Sequence, residues 1–287
     1  MMREHVIAMG DFDGVHRGHR EILRALQEWA EFLQAVPMVL SFSNNTKGRP
    51  VITDHRAREW FFLQCGIEHW KILDFEQWKD VSAEDFTERV LKEELHAVGL
   101  VCGEDFRFGK DRAGNEFTLI SQGIAVKKIK SETVDDLRIS SSAIRALLEA
   151  GELEQAERRM GHPFTLVGEI CHGKGLARQY GLPTVNLPLA EDQLLPPFGV
   201  YAAWAVVDGV RYPAAANIGV RPTVETRGSP NLEAHILAEL PELYGKELRI
   251  ELKSYLRKEM KFADEEQLFL QIRRDGEMSK ERLEILN

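Results

Sequence analysis

Two imidazoles three residues apart, His16 and His19, close the run Gly10-Asp11-Phe12-Asp13-Gly14-Val15-His16-Arg17-Gly18-His19. The apolar stretch Val6-Ile7-Ala8-Met9 precedes this run and a helical pattern follows it. The spacing therefore predicts a strand that enters a Gly-rich turn, and a turn that opens a helix. A helix N-terminus offers unpaired backbone N–H groups and a partial positive charge, which together make a phosphate site. Imidazoles beside it can donate hydrogen bonds to phosphate oxygens. Gly10, Phe12, Asp13 and Gly14 would frame the turn, and Gly18 would let a phosphate approach the backbone closely. The chemistry this suits is attack on the α-phosphate of ATP. Negative charge then builds on that phosphate and on departing pyrophosphate, and donors already in place stabilise it. The same residues also suit a plain tight turn whose histidines cap and pack.

Two further segments could serve the same reaction. Ile139-Ser140-Ser141-Ser142-Ala143-Ile144-Arg145 opens a helix with serines, which cap it and offer hydroxyls, and Arg145 one turn inside can pair bidentately with a phosphate. Gly103-Glu104-Asp105-Phe106-Arg107-Phe108-Gly109 follows a short apolar run. There Phe106 and Phe108 can stack on a flat ring, Arg107 can meet phosphate, and Glu104 and Asp105 precede them. A capped surface helix and a loop with an aromatic tucked into the core are the plainer readings of these two.

A different chemistry is suggested further along. Gly173-Lys174-Gly175-Leu176-Ala177-Arg178-Gln179-Tyr180-Gly181 is Gly-rich and basic, but it lacks the Gly-Lys-Ser/Thr spacing of a Walker loop. It could be a flap over phosphates, and a polar turn between strands is the plainer reading of it and of the residues that follow. Thr184 and Asn186 follow, two apart, so on an extended segment they face one side. A hydroxyl and an amide oxygen there suit Mg²⁺, which keeps several waters and usually also takes substrate phosphates. In Asn231-Leu232-Glu233-Ala234-His235-Ile236 one face is apolar and the other carries Glu233 and His235. Glu233 could take a proton from an attacking hydroxyl. Asn217-Ile218-Gly219-Val220-Arg221-Pro222-Thr223 reads as a strand running out into a long loop, the kind of place where substrate contacts such as Arg221 concentrate.

The elements that must carry these groups fall into two patterns. Strand-like runs at Val6–Met9, Val36–Phe42, Trp70–Leu73, Leu100–Cys102 and Ala125–Ile129 alternate with helical patterns over His19–Leu33, Asp54–Cys65 and Ser82–Leu95. Ser82 and Asp85 suit a capped start for the last. Such alternation predicts a parallel sheet covered on both faces, with ligands beyond the carboxyl ends of its strands. Ser140–Met160 reads as two short helices around Gly151. Strands then follow without helices between them, at Phe164–Cys171, Val200–Val207, Val210–Ala216, Leu232–Leu237 and Leu248–Leu256, which predicts an antiparallel barrel or sandwich. Asp208-Gly209 is a hairpin signal. The chain ends on Asp264–Ile285, with Leu268, Ile272, Leu283 and Ile285 expected in the core. The boundary is placed near Arg159, giving domains of residues 1–158 and 159–287.

A chain of 287 residues fits two domains. Its net charge of -9 argues against a general nucleic-acid binder. Its apolar runs are too short to span a membrane. Met1-Met2-Arg3-Glu4-His5 leads straight into the first strand, so no signal peptide is expected. Cys65, Cys102 and Cys171 are odd in number and far apart, which fits a reduced, cytoplasmic protein without a disulfide framework.

Taken in order, these segments resemble the bacterial bifunctional riboflavin kinase/FMN adenylyltransferase family over nearly the whole chain. The first half matches in Gly-x-Phe-Asp-Gly-Val-His-x-Gly-His, Gly-Glu-Asp-Phe-Arg-Phe-Gly and Ile-Ser-Ser-x-x-Ile-Arg. The second matches in Gly-Leu-Pro-Thr-x-Asn, Gly-Val-Tyr, Asn-Ile-Gly-x-Arg-Pro-Thr, Glu-x-His-Ile and Leu-Tyr-Gly. The resemblance implies an α/β nucleotidyltransferase domain with a Rossmann-like parallel sheet, then a six-stranded antiparallel barrel with a C-terminal helix. It implies two Mg²⁺-dependent reactions with ATP as co-substrate: riboflavin to FMN in the second domain and FMN to FAD in the first. By carry-over, His16 and His19 would bind ATP phosphates with Ser141 and Arg145. Asp105, Phe106, Arg107, Phe108 and Arg221 would meet flavin or nucleotide. Thr184 and Asn186 would hold Mg²⁺-ATP under the flap around Gly173, Lys174 and Gly175. Glu233 would be the base that activates the ribityl 5′-hydroxyl. Where the family usually has a Pro-His-Pro-like turn, Phe42 is followed here by Ser43-Asn44-Asn45-Thr46-Lys47. That departure motivates an alternative in which only the kinase turns over.

Overall fold

The computed structural model describes residues 3–43, 49–130, 133–134, 137–171, 184–220, 230–238, 240 and 245–286. The chain divides into two units, Met1–Val51 with Arg58–Ser141, and Ile52–Ala57 with Ser142–Asn287.

The first unit is built on five parallel strands in the order β3-β2-β1-β4-β5: β1 (His5–Met9), β2 (Val36–Phe42), β3 (Trp70–Leu73), β4 (Ala97–Gly103) and β5 (Ala125–Ile129). Parallel neighbours need crossovers, and helices supply them. These are α1 (Arg17–Phe32), α2 (His55–Gln64), the short α3 (Phe75–Trp78), α4 (Ala83–Phe86) and α5 (Glu116–Ser121). β1 is central and buried on both faces, so its residues divide between two cores. Val6 and Ala8 pack with Leu23, Leu26 and Val39, whereas Ile7 and Met9 pack with Leu40, Leu91 and Leu100. α1 turns Leu23, Leu26 and Ala30 inward and pairs Arg24 with Glu21 and Glu28 on its outer face. Ser82 caps α4 as its spacing predicts, accepting from the Asp85 N–H at 3.0 Å. The helix expected over Ser82–Leu95 then changes character, because Thr87–Glu94 continues with π-type hydrogen bonding. A two-residue ladder, β6 (Thr133–Val134) with β7 (Leu137–Arg138), lies before Ser141.

The strand order has one consequence for function. The chain runs outward from β1 to β3 and then returns to β4 on the other side of β1. The crevice beyond β1 and β4 is thus the switch point where such sheets bind ligands.

The second unit begins with α6 (Ser141–Glu149) and α7 (Leu153–Met160), the two helices expected around Gly151. α7 lies against β8 (Phe164–Glu169) and β13 (Glu247–Arg257), and Lys253 Nζ donates to both Glu157 oxygens at 2.7 Å. By packing, these helices go with the strands that follow them, although they precede the boundary expected near Arg159. The remaining strands are β9 (Thr184–Pro188), β10 (Gly199–Val207), β11 (Val210–Val220) and β12 (Pro230–Ile236), and the antiparallel order is β8-β13-β10-β11-β12-β9. Asp208 and Gly209 make the hairpin turn with φ of 49° and 81°, both positive as a two-residue loop of this kind requires. The sheet curls into a half-barrel, and its end strands meet at one antiparallel pair, Cys171 with Asn186. Tyr201 fills the centre and donates its hydroxyl to the Pro197 carbonyl.

α8 (Glu265–Ile285), capped by Asp264, packs across β10, β11, β12 and β13. Alanines at 214 and 215 and Gly276 allow close approach, so that Ser279 Oγ reaches the Ala214 carbonyl at 2.7 Å. Leu283 is buried as expected, but Ile285 is 74 % exposed, because it falls in the final turn beyond the sheet; Phe269 takes the inward position instead. Among the described residues no helix is long and apolar enough to cross a membrane.

Candidate active sites

In the first unit the turn after β1 is held under local strain. Phe12, Gly14 and Val15 have φ of 51°, 83° and 33°, and only glycine enters this region cheaply. His16 is the N-cap of α1, and its Nδ1 accepts the His19 backbone N–H at 3.3 Å. A neutral imidazole that accepts at Nδ1 carries its proton on Nε2, so the His16 donor is Nε2–H. The His16 and His19 rings stack at 3.6 Å, and Phe12 lies 5.2 Å from His19. Phe12 is buried and edges onto Phe62, so it backs the His19 ring from the core. Ser141 Oγ donates to the Asp13 carbonyl at 2.9 Å, which ties the serine segment to the Gly-rich turn. Arg145 stands one turn further on, in α6 and in the second unit.

A cavity of about 430 Å³ opens beside this turn. Its floor is Met9, Gly10 and Asp11, and its walls include Phe42, Phe75, Trp78, Phe86 and Asp105–Gly109. The aromatic rings brace one another: Phe42 on Phe75, Trp78 on Phe86, and Phe106 stacked on Phe108 at 5.4 Å. Lys79, Arg107 and Arg112 bring positive charge to the rim. The loop after β4 is pinned by an antiparallel pair between Phe108 and Gly114 and by Lys110 N–H donating to Val81 O at 2.8 Å. Phe108 is the buried aromatic of the pair and Phe106 the half-buried one. The volume and the apolar walls suit a flat, drug-sized ring system. Burial pushes the Cys102 thiol, near the end of β4, up to about 12, against the opposing pull of Lys128.

In the second unit the register lines up the chemistry. Glu233 sits opposite Asn186 on β9 and opposite Asn217 on β11, and His235 sits opposite Thr184. Thr184 Oγ1 donates to Glu233 Oε1 at 2.7 Å, and Asn231 Nδ2 donates to Asn186 Oδ1 at 3.3 Å. Leu232, Ala234 and Ile236 are buried on the other face and Glu233 is exposed, as the alternation in sequence predicts. A cavity of about 220 Å³ adjoins the carboxylate, lined by Thr184, Asn217, Glu233 and Arg257 and by the apolar Met260, Phe262, Leu268 and Ile272. Asp275, buried in α8, grips Arg257 with two hydrogen bonds of 2.8 and 2.6 Å. Glu259 accepts from Asn217 Nδ2 at 3.2 Å.

Gly173, Lys174, Gly175 and Arg221 lie outside the described residues, as does the Asn44–Lys47 part of the departure after Phe42. Sequence reasoning missed Arg58, whose guanidinium is buried behind Gly10–Phe12. It also missed Asp275 and Arg257. An isolated Arg in a helix carries no signal of burial, and the Asp275–Arg257 partnership joins residues 18 apart on different elements. Among the described residues no group of three or more His, Cys, Asp or Glu is placed to hold a metal.

Known proteins give a consistent picture. A family model described as FAD synthetase matches residues 1–143, and one described as riboflavin kinase matches residues 160–283. A bifunctional riboflavin kinase/FMN adenylyltransferase from Pseudomonas fluorescens is 36% identical over 281 residues, covering 94% of this chain and 90% of that one. Its counterpart from Escherichia coli K12 is 34% identical over 290 residues, covering 96% and 92%. A crystal structure from Streptococcus pneumoniae, titled a macrolide-efflux protein, superposes with a TM-score of 0.78 at 27% identity, covering 98% of this chain and 95% of its own.

Proposed function

This chain belongs to the bifunctional riboflavin kinase/FMN adenylyltransferase family, and from that premise we propose how its residues divide the two reactions. Both catalytic domains are present, so the chain phosphorylates riboflavin to FMN and adenylylates FMN to FAD, with ATP as co-substrate in each. This favours the bifunctional reading over one in which only the kinase is active.

In the kinase reaction, Glu233 takes the proton from the ribityl 5′-hydroxyl as that oxygen attacks the γ-phosphorus of ATP, the bond to the β,γ-bridging oxygen breaks and ADP leaves. The hydrogen bond from Thr184 aims the carboxylate. This bond is the observation that carries the assignment, because it joins the base to the segment expected to hold the nucleotide. The flavin ring takes the apolar cavity of Met260, Phe262, Leu268 and Ile272. The donor set suits Mg²⁺: Thr184 Oγ1 and Asn186 Oδ1 are neutral hard oxygens on neighbouring positions of one strand face. When bound there, the ion would neutralise phosphate charge. Gly173, Lys174 and Gly175 belong to the flap, and Arg221 to the flavin loop.

In the adenylylation reaction, a phosphate oxygen of FMN attacks the α-phosphorus of ATP and pyrophosphate leaves. His16, His19, the α1 N-terminus and the glycine backbone of residues 10–18 hold the ATP phosphates, with Ser141 setting the turn. The flavin lies among Asp105, Phe106, Arg107 and Phe108. The functional boundary falls at residue 159, and the protein works in the cytoplasm. A chromatographic time course with riboflavin, ATP and Mg²⁺ tests the whole reading. FMN should appear first and FAD after it, and supplied FMN should give FAD directly. FMN with no FAD from either start would leave a kinase alone.

A further inference from the structure

Arg58 lies in α2, and its side chain is buried at 5 % exposure. A buried guanidinium is costly unless its donors are met, so what it meets is informative. Its Nη1 donates to three oxygens: the Asp11 carbonyl at 3.0 Å, the Phe42 carbonyl at 2.9 Å and Ser41 Oγ at 3.1 Å. Ser41 is fully buried and its hydroxyl donates to the same Asp11 carbonyl at 3.1 Å. One cationic group thus fastens the exit of β1 to the exit of β2.

Both exits border chemistry. Asp11 and Phe42 line the larger cavity. Asp11 is also the residue before Phe12, where φ turns positive and the ring comes to rest on His19. The turn that seats the histidines is strained, and a strained turn keeps its shape only when its surroundings over-determine it. The charged three-way hydrogen bond supplies that constraint.

We infer that Arg58 is a positioning residue for FMN adenylylation, fixing through Asp11 and Phe42 both the phosphate-binding turn and the aromatic wall of the cavity. It touches neither substrate. The inference rests on the assignment of the first unit to adenylyl transfer, and the unaltered chain is the control for that assignment.

The test uses full-length Arg58→Met, Arg58→Lys and Ser41→Ala, with both activities measured on each. Met keeps the volume and loses every donor. It should lower kcat/KM for FAD formation from supplied FMN about 100-fold, the scale of a misplaced reactive geometry, while riboflavin phosphorylation stays within twofold of the parent. The fall should appear in kcat as well as in KM for FMN, as it does when alignment is lost. An ammonium also carries three donors, so Lys should recover at least tenfold of the lost efficiency; a general packing role would not separate Lys from Met in this way. Should Arg58→Met fail to fold, Ser41→Ala, with about a fivefold loss of FAD formation and unchanged kinase turnover, carries the same meaning. Unchanged FAD formation in Arg58→Met, or parallel loss of both activities, or a Lys variant no better than Met, overturns the inference, as does Ser41→Ala at parental rates where Met cannot be measured. Absence of FAD formation in the unaltered chain would instead overturn the assignment of the first unit.

Discussion

Glu233 and His19 mark the limits of what single residues reveal. Glu233 was legible because strand alternation puts it on the polar face, and the register then brings Thr184 and Asn186 to it across β9. Nothing in the sequence near Glu233 announces that neighbour 49 positions away. His16 and His19 were legible as neighbours at the start of a helix, but their stacking and the backing ring of Phe12 follow from positive φ values that no propensity encodes. Replacing Glu233 by Ala should lower FMN formation by about 10²–10⁴-fold, the usual worth of a general base. FAD formation from supplied FMN should remain, and a riboflavin kinase assay beside an FMN adenylylation assay checks the split. His19→Ala should do the reverse, cutting FAD formation about 100-fold, as for a lost charge-stabilising donor.

Elements were more legible than their ends. β2, β3 and β5 nevertheless have the bounds that their strand-like runs predict, although β3 and β5 are edge strands and β5 carries two lysines. β9 was recognised only as an extended carrier of Thr184 and Asn186, because its five residues alternate too briefly to stand out. The π-type continuation of α4 and the pinned loop after β4 were not legible, as both depend on tertiary contacts. Gly109 shows why that loop resists substitution. Its φ is +70°, and a Cβ there would lie 2.7 Å from the backbone of Ala83. Gly109→Ala should therefore cost about 2–4 kcal/mol, combining the left-handed penalty with overpacking. Denaturant unfolding measures it, and a raised KM for FMN should accompany it, because Phe106 to Gly109 wall the cavity.

At the scale of the molecule, each unit has its own sheet and its own cavity, and the product of the second is the substrate of the first. An inactivated site in one chain should then be made good by another chain. An equal mixture of Glu233→Ala and His19→Ala proteins, given riboflavin and ATP, should produce FAD after a lag while FMN accumulates; each variant alone should not. Chromatography of the flavins over time checks this, and FAD that never appears would mean that FMN is not released.

The seam of the half-barrel falls on the residue with the most delicate task. β9 is held to β12 along five paired positions but to β8 through Cys171 and Asn186, whose backbone bond is 2.9 Å long. Asn186 is therefore a latch as well as the residue proposed above to face the nucleotide. On the division of roles proposed above, the join that rounds off the fold also steadies the phosphorylating site, so a molecule with this latch undone should be folded nearly everywhere and unable to begin flavin synthesis.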